Sequence, residues 1–362
     1  MKKAIIAVII VLAIAAGLTV PYFLKPKEDN VTVDTLEGSV YTQTHTVADY
    51  AKVYKKYVSR YFSGRINSYD SEDGLPDVCI PGLTGSRITV PQGAAYFNPK
   101  GWYLISACDP EGKMPSVIYA LSGKTGEFKA QFNLKRDGKD YTGHVGGIGV
   151  SNYNLYLTGE GSEIGYIDLS MLYVPDGTVR DVAIAEFTDI SEAVGGASAS
   201  YVTVTDGILC TGNFFHTEEP YNKKAGKDYS SVVLSYTLKG KSSADEWKNF
   251  AKSAPKKYIL PETVSKIQCA AIKGDKLFAV SSYGRRNDSE FYIFTAKAKL
   301  DEKTARVYTG MPMIEGFFIR NGSVNFITES ASDKYNTRSY FFWKTSKNPT
   351  DVMWKFDYNE SE

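Results

Sequence analysis

Five times between residues 90 and 358 the chain repeats one order of short strands, and this recurrence restricts the possible folds more than any other feature. Each unit opens with a strand of small residues, makes a tight turn and runs through a second strand. It then crosses a polar loop and returns through a strand rich in Tyr, Ile and Val, followed by a fourth. The units read PQGAAYF, WYLISA, SVIYAL, EFKAQFNL; GGIGV, LYLTG, IGYIDL, TVRDVAIAEF; ASYVTV, ILCTG, SVVLSYTL, KKYIL; QCAAI, LFAVSS, FYIFTAKA, TARVYTG; and EGFFI, SVNFITE, RSYFFWK, DVMWKFDY. Aligned on the first turn they begin near positions 101, 153, 207, 274 and 322, giving steps of 52, 54, 67 and 48 residues. The long step contains a short helix from Ser243 to Lys252, for which Ser243 and Glu246 form a capping box.

A lone four-stranded sheet cannot bury both of its faces, whereas sheets stacked around a ring bury each against its neighbours. Small residues on the first strand suit the crowded centre, and Asp-Gly, Gly-Asp and Asn-Gly at the turns suit tight hairpins. The pattern therefore predicts an all-β chain, a β-propeller of five four-stranded blades over residues 90–362. Residues 64–90 offer a further strand or a partial sixth blade, and a two-sheet β-sandwich array is the structural alternative.

At PQGAAYF with WYLISA and SVIYALSGKTGEF, and at GHVGGIGV with LYLTG, the chain resembles exported β-propeller repeat proteins with YVTN-like or NHL-like blades. The resemblance is one of pattern, covers residues 90–358, and implies a propeller outside the cytoplasm. Five-bladed propellers also scaffold glycosidases that carry Asp and Glu on the strands lining the centre. Here QGAAYF, GGIGV, ASYVTV and QCAAI carry no carboxylate and only Glu315 begins the fifth, which argues against such an enzyme. Asp109 with Glu160, converging from loops, keeps a hydrolase open as an alternative.

The N-terminus begins Met1-Lys2-Lys3, continues through an uncharged apolar run at residues 4–24, and closes with Lys25 and Lys27. As a helix this run is about 31 Å long, close to the ~30 Å hydrocarbon core of a bilayer. The leading lysines favour a cytoplasmic N-terminus and an exported remainder, hence a single-pass signal-anchor over 1–24. Cleavage after Ala13-Ile14-Ala15, yielding a secreted protein, is the other reading. Residues 25–89 then read as a polar tether and an amphipathic helix, with Val47, Tyr50, Tyr54, Tyr57 and Tyr61 on one face. The four cysteines, Cys79, Cys108, Cys210 and Cys269, are read as buried small residues or as bridges. If bridges form, Cys79 with Cys108 and Cys210 with Cys269 are nearest in repeat register.

With 42 basic and 41 acidic residues there is no strong field of the kind that engages nucleic acid. No catalytic elbow, zinc-protease motif, phosphate loop or EF-hand occurs, so no cofactor or metal is expected. The glycine-rich run Gly143–Gly149 has no helix after it and reads as a close-packed strand.

Function must then sit on loops held by the scaffold. On one face the pattern collects Asp109, Glu111, Glu160, Glu163, His216, Glu218, Glu219, Arg285, Arg286, Asp288, Glu329 and Asp333, joined by Arg136, Asp137, Asp140, Tyr141 and His144. The candidate binding residues are His144, Tyr141, Asp109, Glu111, Glu160, Glu163, His216, Arg285 and Arg286. His144 stands out, one of only three histidines, and is expected to hydrogen-bond backbone at the channel mouth. These features point to a cell-surface binding or scaffold protein that engages a protein or polysaccharide. A carbohydrate-active hydrolase and an accessory subunit of an envelope assembly complex are the alternatives.

Overall fold

Two-residue turns fix the ends of the strands. Asp206 and Gly207 have φ of 49° and 72°, and Asn321 and Gly322 have 50° and 75°. Positive φ at both central residues is the type I′ geometry, whose twist matches that of the flanking strands. The computed structural model describes residues 60–64, 66–68, 80, 89–216, 231–336, 346–347 and 350–358. The apolar segment 4–24, the tether, Cys79, Glu218, Glu219 and the predicted strand RSYFFWK lie outside these. Among the described residues no helix is long and apolar enough to cross a membrane.

The described strands form five sheets. The first strand in the chain, β1 (Ile66–Ser68), belongs to the last sheet. Blade 1 is β2 (Val90–Phe97), β3 (Trp102–Cys108), β4 (Val117–Ser122) and β5 (Phe128–Arg136), with β6 (Lys139–Asp140) folded back on β5. Blade 2 is β7 (Ile148–Val150), β8 (Asn154–Thr158), β9 (Glu163–Asp168) and, after an excursion through β10 (Thr178–Ala183), β11 (Glu186–Asp189). Blade 3 is β12 (Ala199–Thr205), β13 (Ile208–Asn213), β14 (Val232–Thr237) and β15 (Lys256–Ile259), with helix α1 (Ser243–Lys252) before the last strand. Blade 4 is β16 (Ile267–Lys273), β17 (Lys276–Ser281), β18 (Ser289–Thr295) and β19 (Arg306–Gly310). Blade 5 is β20 (Ile314–Arg320), β21 (Ser323–Thr328) and β22 (Trp354–Asp357), completed on its outside by β1.

The protein is thus a five-bladed β-propeller. The innermost strands β2, β7, β12, β16 and β20 each pack on the next, and β20 packs on β2, which closes the ring and excludes the sandwich. Every interface between neighbouring blades has its own apolar cluster. One joins Leu104 and Phe132 to Leu155 and Leu157, another Tyr156 to Leu209 and Leu234, and a third Cys210 to Leu277 and Tyr292. Phe291 meets Phe317 in the fourth, and Tyr103 meets Phe318 and Ile327 across the closing interface. Because both faces of a blade are covered, β3, β8 and β21 are buried along their whole length. At the hub the strands approach too closely for side chains. A Cβ on Gly147 would lie 2.5 Å from the Val202 amide nitrogen, and one on Gly316 2.9 Å from the Gly93 Cα.

Two strand assignments and one helix cap differ from the sequence pattern. DVMWKFDY supplies the third strand of blade 5, because the outer edge is taken by β1, with Ile66 opposite Phe356. Fully buried Phe62 anchors this closure, 4.7 Å from Phe356 and 5.2 Å from Phe326 between ring centroids. TVRDVAIAEF is split, since β10 pairs in parallel with β5 of blade 1, Thr178 opposite Ala130, and only β11 stays with blade 2. The helix cap is Ser242, whose hydroxyl accepts the Asp245 amide at 3.2 Å. Ser243 instead hydrogen-bonds Asn154, and Glu246 is buried against blade 2.

The cysteine pairing also changes: Cys210 and Cys269 are free buried thiols, as is Cys108. Cys269 Sγ lies 3.6 Å from the Phe317 carbonyl, acting as a small side chain between blades 4 and 5.

Candidate functional site

The inner strands carry a repeated irregularity. In four blades the register shifts by one residue near the start of the inner strand, at Gln92, Ser200, Gln268 and Glu315. Each bulged residue lies five positions before the strand's last paired residue, Phe97, Thr205, Lys273 and Arg320 respectively. A bulge leaves one residue out of the ladder and re-aims its side chain. Here all four residues line one cavity of about 640 Å³ at the mouth of the central channel. Blade 2 shows no such shift, and His144, just ahead of its inner strand, lines the cavity instead.

The cavity's acidic centre comes from blade 5. Glu315 and Glu329, which directly follows β21, are each 7% exposed and hydrogen-bond to one another. Burial and the charge of Glu329 push the Glu315 carboxyl well above the usual range, so it holds the proton and donates it. Burial also raises Glu329, to about 7, against the opposing pull of hydrogen bonds from Glu315, Gln92 and Tyr335 and the Lys334 charge. The pair titrates as a unit, and Glu315 keeps its proton at neutral pH. Gln92 Nε2 donates to Glu329 at 3.4 Å and Gln268 Nε2 to Glu315 at 3.2 Å, so two bulge amides orient the two carboxyls.

Around this centre the wall is mixed. His144 is open to the cavity but surrounded by protein, and the loss of hydration, aided by Lys334, moves its pKa down and keeps the imidazole neutral. No hydrogen bond joins His144 to another described residue, so the backbone bond predicted for it is not made. Phe214 and Tyr283 add aromatic surface with ring centroids 6.0 Å apart, and Tyr283 is 44% exposed. Arg285 lies over the Tyr335 ring at 5.2 Å. The arrangement offers hydrogen-bond donors, acceptors, an exchangeable proton and aromatic faces within one concavity. Among the described residues no group of three or more His, Cys, Asp or Glu side chains could hold a metal ion.

Of the nine candidate binding residues named from sequence, His144, Glu160 and Arg285 line this cavity, as does Glu329, collected on the same loop face. The others do not. Buried His216 lies beside it, its ring tilted against that of Tyr283 at 4.6 Å. Asp109 accepts the backbone amides of Glu111, Lys113 and Met114 at 3.0, 2.8 and 3.1 Å, which shapes its own loop. Burial works to raise its pKa, yet these bonds outweigh that and hold it low. Asp109 and Glu160 therefore do not form a pair across the cavity. Glu111 pairs with Lys113 on the surface. Glu163 makes a two-pronged pair with Arg136 at 2.8 and 2.9 Å, and Arg136 stacks on Phe187 at 4.2 Å. Tyr141 is buried in the interface of blades 1 and 2. Arg286 is exposed and does not line the cavity.

Gln92, Gln268 and the pairing of Glu315 with Glu329 escaped the sequence pattern, which places Glu315 at the head of the fifth inner strand and Glu329 among the loop residues but gives the two no joint role. The signal available was a polar residue at a constant offset in an otherwise small, apolar strand.

A closed ring of five blades with a polar cavity built on hub bulges defines the class: a five-bladed β-propeller with a channel-mouth site. No family model and no curated protein matches the chain. Among solved structures it is similar to the glutaminyl cyclase of Myxococcus xanthus, at 11% identity over 67% of this chain and 87% of that one, TM-score 0.40. It is also similar to the nidogen/laminin complex, at 10% identity, 68% and 75% coverage and TM-score 0.41. A third is the Cps50 (Swd1) β-propeller domain of Myceliophteria thermophila, at 7% identity, 67% and 62% coverage and TM-score 0.35. Likeness at this level concerns the fold alone.

Proposed function

We propose that this protein is a binding module that captures a polar segment of a partner, a polysaccharide chain end or a protein loop, at the mouth of its channel. The observation that carries this reading is the set of four hub bulges delivering Gln92, Ser200, Gln268 and Glu315 into one cavity. Cavities of several hundred Å³ with a few convergent polar groups are the usual form of a ligand site. The mixture of amides, a shared proton and aromatic faces suits a neutral, hydrogen-bonding group. In this reading residues 4–24 hold the protein in the membrane and the propeller faces the cell exterior, where it can serve an envelope assembly.

The test is a glycan array and a crosslinked capture from envelope membranes, both with the full chain. Retention of one partner class that falls at least about tenfold in Gln268→Ala and Glu315→Ala supports the proposal. Retention indifferent to both substitutions overturns it.

A hydrolytic role is the second reading, favoured by the proton shared between Glu315 and Glu329. In most glycosidases the two carboxyls stand about 5 Å or more apart, leaving room for the reacting bond or a water. The direct hydrogen bond seen here is a closer arrangement. Glycan turnover abolished by Glu329→Gln, with binding retained, would establish this reading over the first.

A further inference from the structure

The opposite face of the disc bears a second concavity, formed where the β2–β3, β4–β5 and β20–β21 turns of blades 1 and 5 meet. Its volume is about 530 Å³, and its charged lining is Lys100, Lys124, Lys129 and Arg320 against a single carboxylate, Asp176. The chain as a whole has a net charge of only +1, so this cluster is a local concentration of positive charge.

Among the described residues, only one of the four cations meets a carboxylate. Lys129 lies 2.9 Å from Asp176 and 3.5 Å from Glu127. Lys100 Nζ donates to the Val174 carbonyl at 3.0 Å and rests 4.7 Å over the Trp102 ring, with no carboxylate of a described residue beside it. The Arg320 guanidinium sits 3.6 Å from the Tyr96 ring centroid and makes no ion pair with a described residue. Lys124 is exposed and its ammonium meets no carboxylate of a described residue. Stacking on Tyr96 holds the Arg320 plane without consuming its N–H groups, which leaves a donor fork suited to bidentate recognition. Like charges gathered in one pocket repel, and that repulsion is relieved only by an anion.

We propose that this pocket binds a multiply charged oxyanion, the phosphate group of a soluble ester or of a lipid headgroup, gripped by Arg320 with Lys100 and Lys124 beside it. A doubly charged phosphate matches the three unneutralised cations better than a single carboxylate does, and Arg–phosphate pairs are among the stronger charge-assisted bonds. The site is separate from the channel-mouth cavity, and its ligand need not be that cavity's partner.

The test is calorimetric titration of the full chain with inorganic pyrophosphate, and with acetate as the monovalent comparison. Pyrophosphate is expected to bind with a Kd below about 1 mM at low salt and to weaken as salt rises. Arg320→Ala should weaken it at least about tenfold, Arg320→Lys less, and Glu329→Gln not at all. Lys124→Ala, at an exposed side chain outside the core, gives a second measure should Arg320→Ala fail to fold. Sedimentation with phosphatidate vesicles, but not with phosphatidylcholine vesicles, would assign the headgroup as source. Pyrophosphate binding without vesicle binding would assign a soluble ester. Absence of pyrophosphate binding up to about 10 mM, equal binding of acetate, or indifference to both Arg320→Ala and Lys124→Ala overturns the proposal.

Discussion

Glu315 donates a hydrogen bond to Glu329 across the channel mouth, although one stands on a hub bulge and the other at the end of the next strand. Two carboxyls this close cannot both ionise cheaply, and the fold keeps the proton that the unfolded chain would release. A carboxyl raised in the folded state contributes most below the ordinary carboxylate pKa and loses that contribution as pH climbs through the folded value. Stability should therefore fall as pH rises from about 4 through 7, where Glu329 titrates, and go on falling above it through Glu315, by at least on the order of 1–3 kcal/mol. Glu315→Gln should flatten the slope, as read by melting temperature at pH 5 and pH 8. An unchanged slope would contradict the shared proton.

The hub tolerates no added carbon. Gly147→Ala would place a methyl 2.5 Å from the Val202 nitrogen, backbone that cannot step aside without moving blade 3. A loss of about 1–3 kcal/mol, or failure to fold, is expected in urea titration. Gly138→Ala, at φ +76° with open space around it, should cost only about 1–2 kcal/mol, from backbone strain.

Ring closure depends on residues that precede the first blade. Phe62→Ala removes a fully buried ring packed on Phe291, Phe326 and Phe356 and should cost about 3–5 kcal/mol. A chain beginning at residue 89 lacks both this ring and β1, and should aggregate or elute as an expanded species in size-exclusion chromatography.

Glu246 joins α1 to blade 2. Its carboxylate accepts from the Ser151 hydroxyl at 2.5 Å, Asn154 Nδ2 at 3.1 Å and the Tyr156 hydroxyl at 3.1 Å. Burial raises its pKa while these bonds oppose the rise. Glu246→Ala strands three donors and should cost about 2–3 kcal/mol, more than Glu246→Gln, by chemical denaturation.

Burial pushes the Cys108 and Cys210 thiols up to about 12, and Cys269 also upward. These three should stay unreactive toward a thiol reagent in the native protein and titrate only in denaturant.

The blades were legible because their signals are local. Asp206-Gly207 and Asn321-Gly322 announce hairpins wherever they occur, and the repeat of about 50 residues counts them. The closing strand was legible only as a further strand somewhere in residues 64–90, since Ile66–Ser68 is three residues with no pattern of its own and a partner at the far end of the chain. DVMWKFDY alternates as well for a third strand as for an outer one, so only the location of β1 decides its place. The site was half legible. His144, Glu160 and Arg285 lie in loops, where polarity marks them, whereas Gln92, Gln268 and Glu315 owe their direction to a slip in register that alternation cannot encode.

Thr178–Ala183 runs alongside Ala130–Lys135, so blade 2 lends a strand to the rim of blade 1 and Asp181 pairs with Lys135 there, 3.0 Å away. A ring of wedges under tension breaks at its least stitched joint, and this strap removes one joint from the competition. Pulled from its ends or pried by a protease, the molecule should yield elsewhere first, leaving the first two sectors to travel as a single block.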